Sequence, residues 1–555
     1  MPVEEHRITS DPLSGATFLE ATETRAGTYA GHILAGLGAT VISAASMTNR
    51  RPDMGFASAG ARPNSNAGDP RALIGTLLTS ERFNGALVPA SGGFPSGCER
   101  VSVAPDGSAG LDWAASGAMA LTGGEEGPPR MLLSGFASRL NGAAAAFEMV
   151  TAVAGRRVRI DGPALLGERA ALQGLGRRGR TTVGGAGRLI EAGDGWIAVN
   201  LPRRRDLELL EAWLGGPVSD EPWMAVQIAA SRSGRDAIIA RGRELGLAVA
   251  PLASPQEAFG DGQALSRAQS FPPAPWVIDG SPRRPEEVHR SAGASAGRRL
   301  SRRRPPLVLD LSSLWAGPLC ASLVQAAGAR VIKVEARQRP DGTRGTGLFD
   351  LLNAGKECIA LDFRHDEDRR SLGRLLEAAD IVIEGFRPRV MENLGIFPEA
   401  WLEQGEGRVW LSISGYGRTG PGRNWIAFGD DAAVAGGAAT VVEGFEDSPV
   451  FCGDAIADPV GGLYAAIAVM AAWNSGLGHV IDVALREAIG HAVAGPGLDL
   501  GEEPRVVPSS VGGSEWALLT SEGLREIAEP RARMASSKGS AVDEDGRRLR
   551  TEFSL

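Results

Sequence analysis

Lysine is nearly absent from this 555-residue chain: Lys333, Lys356 and Lys538 are the only three among 58 basic residues. Arginine carries the rest, and with 66 acidic residues the net charge of −8 excludes a general nucleic-acid coat. Cysteine is scarce and scattered, with Cys98, Cys320, Cys358 and Cys452 forming no C-x-x-C pair, which argues against a zinc site and a disulfide framework. The six histidines, His6, His32, His289, His365, His479 and His491, never fall at ligand spacing, so each reads as a surface or packing residue and no metal is expected. Long apolar runs are missing too. The longest, Val460 to Trp473, is too short to span a bilayer and holds two glycines near its start. The opening MPVEEHRITS lacks the basic-then-apolar order of a signal peptide. The expectation is a cytosolic protein with neither membrane nor nucleic-acid partners. No G-x-x-x-x-G-K-[ST] or H-E-x-x-H occurs, and GASAG (Gly293 to Gly297) lacks the strand and helix of a nucleophile elbow. GLGRRG from Gly174 follows a helix-like stretch and GYGRTG from Gly415 runs into Pro421 and Gly422, so neither has the setting of a dinucleotide loop.

Glycine, by contrast, is abundant at 75 residues, roughly twice its usual share, while the hydrophobic content of 43% is that of a globular chain. At roughly 100–200 residues per domain the length accommodates three or four units. Arg283 to Pro306, rich in charge, small residues and proline, reads as a linker, its Arg302, Arg303 and Arg304 as solvated charge. The polar stretch after Pro530 reads as a loosely packed tail. An internal repeat is visible: AGTYAGHILAGLGATVI matches AGPLCASLVQAAGARVI with Gly27 on Gly317 and Gly38 on Gly328, an offset of 290. Farther on, Gly117 falls on Gly437, Pro129 on Pro449 and Gly142 on Gly462, an offset of 320, so the first copy is 30 residues shorter between these anchors. In the second copy, apolar runs at Leu307 to Leu311, Val331 to Glu335, Ile381 to Glu384 and Val409 to Ile413 alternate with helical patterns at Gly317 to Ala327 and Glu367 to Ala379. That alternation predicts an α/β fold with a parallel sheet covered on both faces and a ligand site beyond the carboxyl ends of the strands. A separate α+β unit is expected at about 185–270, with strands in DGWIAVNL and GLAVAPLAS and a helix in DLELLEAWLG.

Over Leu307 to Trp473 the segments LVLDLSSLWAGPLCASLVQAAGARVIKVE, PDGTR, LLNAGKECIALDF, ADIVIEGFRPRVMENLG, SISGYGRTGP, FGDDAAVAGG and VFCGDAIADPVGGLYAAIAVMAAW follow one another. In this order they resemble the family III CoA-transferases, the CaiB/BaiF family, and the N-terminal half resembles the same family more weakly. The resemblance implies two diverged Rossmann-like large-domain copies plus a small α+β domain. The boundaries expected are 1–165 for a degenerate copy, 166–282 for the small domain, 283–306 for the linker, 307–495 for the catalytic copy and 496–555 for a partly flexible extension. It also implies a reaction that moves CoA from an acyl-CoA to a free carboxylic acid, with CoA as substrate and no tightly bound cofactor.

By motif position the nucleophile falls on Asp458, whose plain structural alternative is a helix N-cap ahead of Pro459, and Asp454 is a supporting carboxylate. The resemblance places Leu314, Trp315 and Ala316 against the nucleotide end of CoA and Arg337 near a phosphate. It has Asn353, Lys356, Gly385 and Phe386 lining the rest, with Arg389 adding a phosphate contact. One departure stands out: Asn393 occupies a position where many relatives carry arginine, leaving its contact to Arg387 or Arg389. The offset of 320 puts Asp458 on Ser138, so one working site and one degenerate half are expected, paired as a pseudo-dimer within the chain, with a homodimer left open. Two alternatives are carried: a 2-methylacyl-CoA racemase, disfavoured because Tyr416 to Gly437 holds no histidine, and a non-catalytic acyl-CoA-binding protein.

Overall fold

Short runs of valine, isoleucine and leucine form the strands of this chain, and the longest alanine-rich runs form its central helices, as their intrinsic preferences dictate. The computed structural model describes residues 12–13, 17–20, 25–35, 37, 39–43, 85–89, 99–103, 109–218, 221–267, 275–280, 304–494, 504–509 and 515–555. Most of the linker expected at 283–306 and Cys98 lie outside them.

The first part contributes β1 (Thr17–Glu20), β2 (Thr40–Ser43), β3 (Gly85–Pro89) and β4 (Glu99–Val103) to a parallel sheet in the order β2-β1-β3-β4. Helix α1 (Arg25–Ala35) packs against α2 (Phe136–Val153), and the short α3 (Glu168–Gln173) follows. An antiparallel sheet comes next, with β5 (Gly187–Ala192), β6 (Gly195–Asn200) and β7 (Ala248–Pro251). It has its own cluster of buried residues, including Ile197, Trp213 and Val249. The helix expected over DLELLEAWLG is two short helices, Arg204–Glu208 and Leu210–Leu214, because Leu209 turns the chain with a tighter bond to the Asp206 carbonyl.

The largest sheet holds β8 (Val277–Gly280), β9 (Leu307–Asp310), β10 (Arg330–Ala336), β11 (Glu357–Leu361), β12 (Ile381–Glu384), β13 (Val409–Ser414) and β14 (His479–Ala484). Their order is β11-β10-β9-β12-β13-β14-β8, parallel throughout except for β8. The strands expected from sequence agree with β9, β10, β12 and β13 to within a residue or two. Helix α4 (Ala316–Ala326) follows β9, α5 (Gly429–Ala435) precedes α6 (Ala457–Ser475), and α7 (Leu485–Ala494) follows β14. Every residue of α6 except Asp458 is buried, because α4 covers one side and α2 of the first part covers another. The two parts therefore share one core, in which Phe136, Leu140 and Phe147 meet Leu463, Ile467 and Trp473. Polar bonds cross it as well: Tyr29 and Tyr464 hydroxyls lie 2.6 Å apart, and Arg139 donates to the carbonyls of Ala492 and Val493.

Past a small antiparallel sheet of β15 (Arg505–Pro508), β16 (Trp516–Thr520) and β17 (Gly523–Glu526), the segment expected to be a loose tail is tightly engaged instead. Arg533 pairs with Glu168, and the carboxylates of Asp543 and Asp545 each accept a backbone N–H from the outer edge of β11, from Ala360 and Cys358, both at 2.9 Å. An edge strand otherwise left with unpaired N–H groups is thus capped by side chains. The closing helix α8 (Gly546–Glu552) buries Leu549 completely against the core beside β11. Replacing Leu549 with alanine should lower the stability by about 2–5 kcal/mol in urea unfolding, as a cavity in a core does. A loss under about 0.5 kcal/mol would instead mark this segment as a solvated surface.

Candidate active site

In an open parallel sheet a crevice forms where the strand order reverses, and here that point lies between β9 and β12. The turn Leu311 to Trp315 leaves β9 and Gly385–Phe386 leaves β12, so both expected ligand loops flank this crevice. Gly317 lies so close to the turn that a Cβ there would sit 2.3 Å from the Ser312 side chain, which brings the head of α4 against the end of β9. Leu314 adopts a left-handed φ of 70°, held by its N–H to Asp341, and is 39% exposed. Two of the three lysines maintain this arrangement from below. Lys333 bonds the Ser312 carbonyl and Asp341, both at 3.0 Å. Lys356 bonds Asp310 at 2.8 Å, the Pro318 carbonyl and Asn353. Burial pushes the Asp310 carboxyl up, but the two lysines more than offset it and hold it below its ordinary range.

Asp458 occupies the second position of α6, where Ile456 and not Asp458 is the N-cap residue, so the capping alternative does not hold. A carboxylate in a helix's first turn is favoured by the dipole and the free N–H groups there. Around it stand three more carboxylates. Asp430 accepts the N–H of Ala455, itself in a left-handed φ of 46°, and Asp431 accepts from Phe428 and from Asn200 of β6. Gly429 is pressed so close that a Cβ would meet Asp458 Oδ2 at 2.4 Å, and its N–H bonds the Asp458 carboxyl. The fourth, Asp454, is fully buried and held by Arg169 of α3, with Nε on Oδ2 at 2.9 Å and Nη2 on Oδ1. Thr122, also from the first part, accepts the Gly453 N–H at 2.8 Å. Burial pushes Asp458 up, Arg169 works against this, and Asp430 and Asp454 add to it, leaving the carboxyl at about 7; Asp430 reaches about 6 and Asp431 about 7, chiefly through burial.

The expected site residues divide by where they point. Trp315 is buried and stacks near Arg169, 5.8 Å from the guanidinium to its ring, while Ala316 meets α6 through its carbonyl at Gly462. Asn353 and Lys356 face the interior and spend their polar atoms on Asp310, Pro318 and Phe349, so they shore up the crevice and do not line its surface. Gly385 is exposed, with Phe386 half-buried beside it. Arg337 bonds the Ala360 carbonyl and sits 3.9 Å from Asp543, facing the C-terminal segment. Arg389 joins Arg387, Arg203, Arg205, Asn424 and Trp425 around a cavity of about 340 Å³ at the carboxyl edge. Burial and the like charges of Arg389, Arg203 and Arg205 depress Arg387. Arg169, Asp430 and Gly429 escaped sequence reasoning: GERAALQG belongs to no motif, and nothing local links Arg169 to an aspartate 285 positions away. The Ser138 position, by contrast, is closed, with the side chain buried and bonded to Asp112.

A doubly covered parallel sheet with a carboxylate at a helix head beside its switch point defines an α/β protein built to present an acid side chain to a ligand. Residues 306–515 match CoA-transferase family III and belong to it. Among similar proteins, the succinyl-CoA–D-citramalate CoA-transferase of Chloroflexus aurantiacus is 32% identical over 210 residues, covering 34% of this chain and 52% of that one. The acetyl-CoA:oxalate CoA-transferase of Acetobacter aceti is 32% identical over 193 residues, covering 32% and 49%. A crystal structure of a CaiB/BaiF family protein from Brucella suis aligns with 30% identity and a TM-score of 0.32 over 33% of this chain and 53% of that one. The chain spans about half the length of the curated relatives it matches. Among the described residues no cluster of histidine, cysteine and acid is placed to hold a metal ion, and no helix is long and apolar enough to cross a membrane.

Because the Asp458 carboxyl sits near 7 in the folded chain and near 3.9 when unfolded, the native state binds the extra proton between these values. Stability therefore falls as pH rises from about 4 to 7 and the penalty is complete above that. Asp458→Asn removes it. The variant should gain more over the native protein at pH 8 than at pH 4.5 in urea melts, and an equal difference at both would contradict the shift.

Proposed function

We propose that this protein moves CoA from an acyl-CoA to a free carboxylic acid, with Asp458 as the nucleophile. The observation that carries the reading is a part-exposed carboxylate at the head of α6, set among buried acids and backbone N–H groups beside the switch point. Attack of its oxygen on the thioester carbonyl breaks the C–S bond and gives an acyl-aspartyl anhydride and CoA thiolate. The N–H groups at the helix head lie where the oxyanion forms. Thiolate attack on the aspartyl carbonyl then frees the donor's carboxylate and leaves an aspartyl-CoA thioester. The acceptor acid reverses both steps, regenerating Asp458. Low polarity around the carboxylate favours its nucleophilic attack by stripping water from it, and this fits its raised pKa.

The arginine-lined cavity is suited to the phosphates of CoA, which forked guanidinium groups bind well. Arg387 and Arg389 supply charge near the position where Asn393 replaces the arginine of many relatives. Two features support the duplication. The first sheet repeats, strand for strand, the order β10-β9-β12-β13 of the second, and α1 packs on α2 as α4 packs on α6. In this reading the first copy takes the place of a partner subunit, lending Arg169 and Thr122 to the site, and the unit around β5 to β7 is the small domain, touching the site through Asn200. The acid substrates remain open among small acids such as those named for the relatives.

Asp458→Ala should abolish transfer, at least about 1,000-fold in kcat, with hydroxylamine no longer trapping an adduct, while Ser138→Ala stays within about twofold. Equal losses in both would overturn the single-site reading. Arg387→Ala with Arg389→Ala should raise KM for the acyl-CoA by about tenfold or more, and this should weaken with added salt.

A further inference from the structure

The cation nearest the nucleophile comes from the other half of the molecule. Arg169 leaves α3 with its Nε and Nη2 both committed to Asp454, which is fully buried, so the guanidinium plane is fixed in space by a two-point clamp. Its stem and plane are further bracketed by the Trp315 ring, 5.8 Å from the guanidinium carbon. The remaining amino group, Nη1, makes no hydrogen bond, and the side chain keeps 24% of its surface open. Its charge acts on Asp430 and Asp458 as well as on Asp454. A buried pair would do as much structurally with both ends of the fork closed, so the open third donor beside a nucleophilic carboxylate is the feature that calls for a ligand.

We infer that Arg169 anchors a carboxylate of the acid substrate through Nη1, setting it against the Asp458 carbonyl. This rests on the transferase reading above. The chemistry is self-consistent. When Asp458 becomes an ester-like anhydride or thioester its charge is gone, and Asp454 alone does not neutralise the guanidinium together with the nearby helix head, so an incoming carboxylate meets a net positive pole. When the product acid departs, Asp458 regains its charge and competes with it, which favours release. Asp454 keeps the guanidinium oriented through both phases.

The test uses the full chain and compares Arg169→Lys with Arg169→Met/Asp454→Asn, the second chosen so that no buried charge is left alone if Arg169→Met by itself fails to fold. Steady-state kinetics should show KM for the acid raised at least about tenfold in the methionine–asparagine variant and by an intermediate factor in the lysine variant, with KM for the acyl-CoA within about twofold of native. Titration of the native protein with succinate and with oxalate should show saturable binding that the double variant lacks. Equal rises in both KM values, or no rise in either with a native melting temperature, would overturn the anchor while leaving the transferase intact. Succinate binding lost in the variant, from a native protein that moves no CoA between any donor and acid, would sink the transferase reading and leave the anchor standing. Failure of the native protein to bind either acid would overturn the anchor as well.

Discussion

A helix that is apolar on every side cannot face water anywhere, and α6 is such a helix: Val460, Leu463, Ile467, Met470 and Trp473 point in different directions and are all buried. The sheet and α4 cover only part of it. The rest is covered by α2, an equally buried, alanine-rich helix from a part of the chain more than 300 residues earlier. Fully burying each large apolar side chain contributes on the order of 1.5–3 kcal/mol, so neither part would hold its central helix in water without the other. The position of Asp458 is inherited from that packing, since it is the single residue of α6 that opens to solvent.

Charge at the helix head follows from the same burial. Four aspartates, Asp430, Asp431, Asp454 and Asp458, crowd the start of α6, with Arg169 as the cation bonded among them. Like charges in a poorly solvated place cannot all ionise cheaply, and three of these carboxyls are pushed up as a result. The lysine-poor composition has its counterpart beneath the crevice, where Lys333 and Lys356 are enclosed around Asp310 and brace the loop that carries Leu314. A short, strongly hydrated amine suits that task because its donors are all met by fixed oxygens.

Much of this was legible in the linear chain. Strands β9, β10, β12 and β13 announce themselves as Val, Ile and Leu runs, and the A-G-P-L turn and D-P-V-G-G stretch locate both sides of the crevice. Motifs indicate which residues are near a site, not which way they face. Lys356, Asn353 and Trp315 were therefore assigned to the ligand although they turn inward. Arg169 was invisible because its meaning depends on Asp454, a partner brought near only by the meeting of two parts. Asp543 and Asp545 misled by composition: a run of polar residues looks solvated until its carboxylates find the N–H groups of a strand edge.

That cap on β11 also has a clock attached. Asp545 is made 187 residues after Cys358, which it covers. At a synthesis rate of about 5–20 residues per second the strand edge therefore waits roughly 10–40 s for its cover. During that interval the growing chain presents a hydrophobic strand with open backbone donors to its neighbours on other ribosomes, so the yield of native protein depends on translation speed and on chaperone occupancy of that edge as much as on the final contacts.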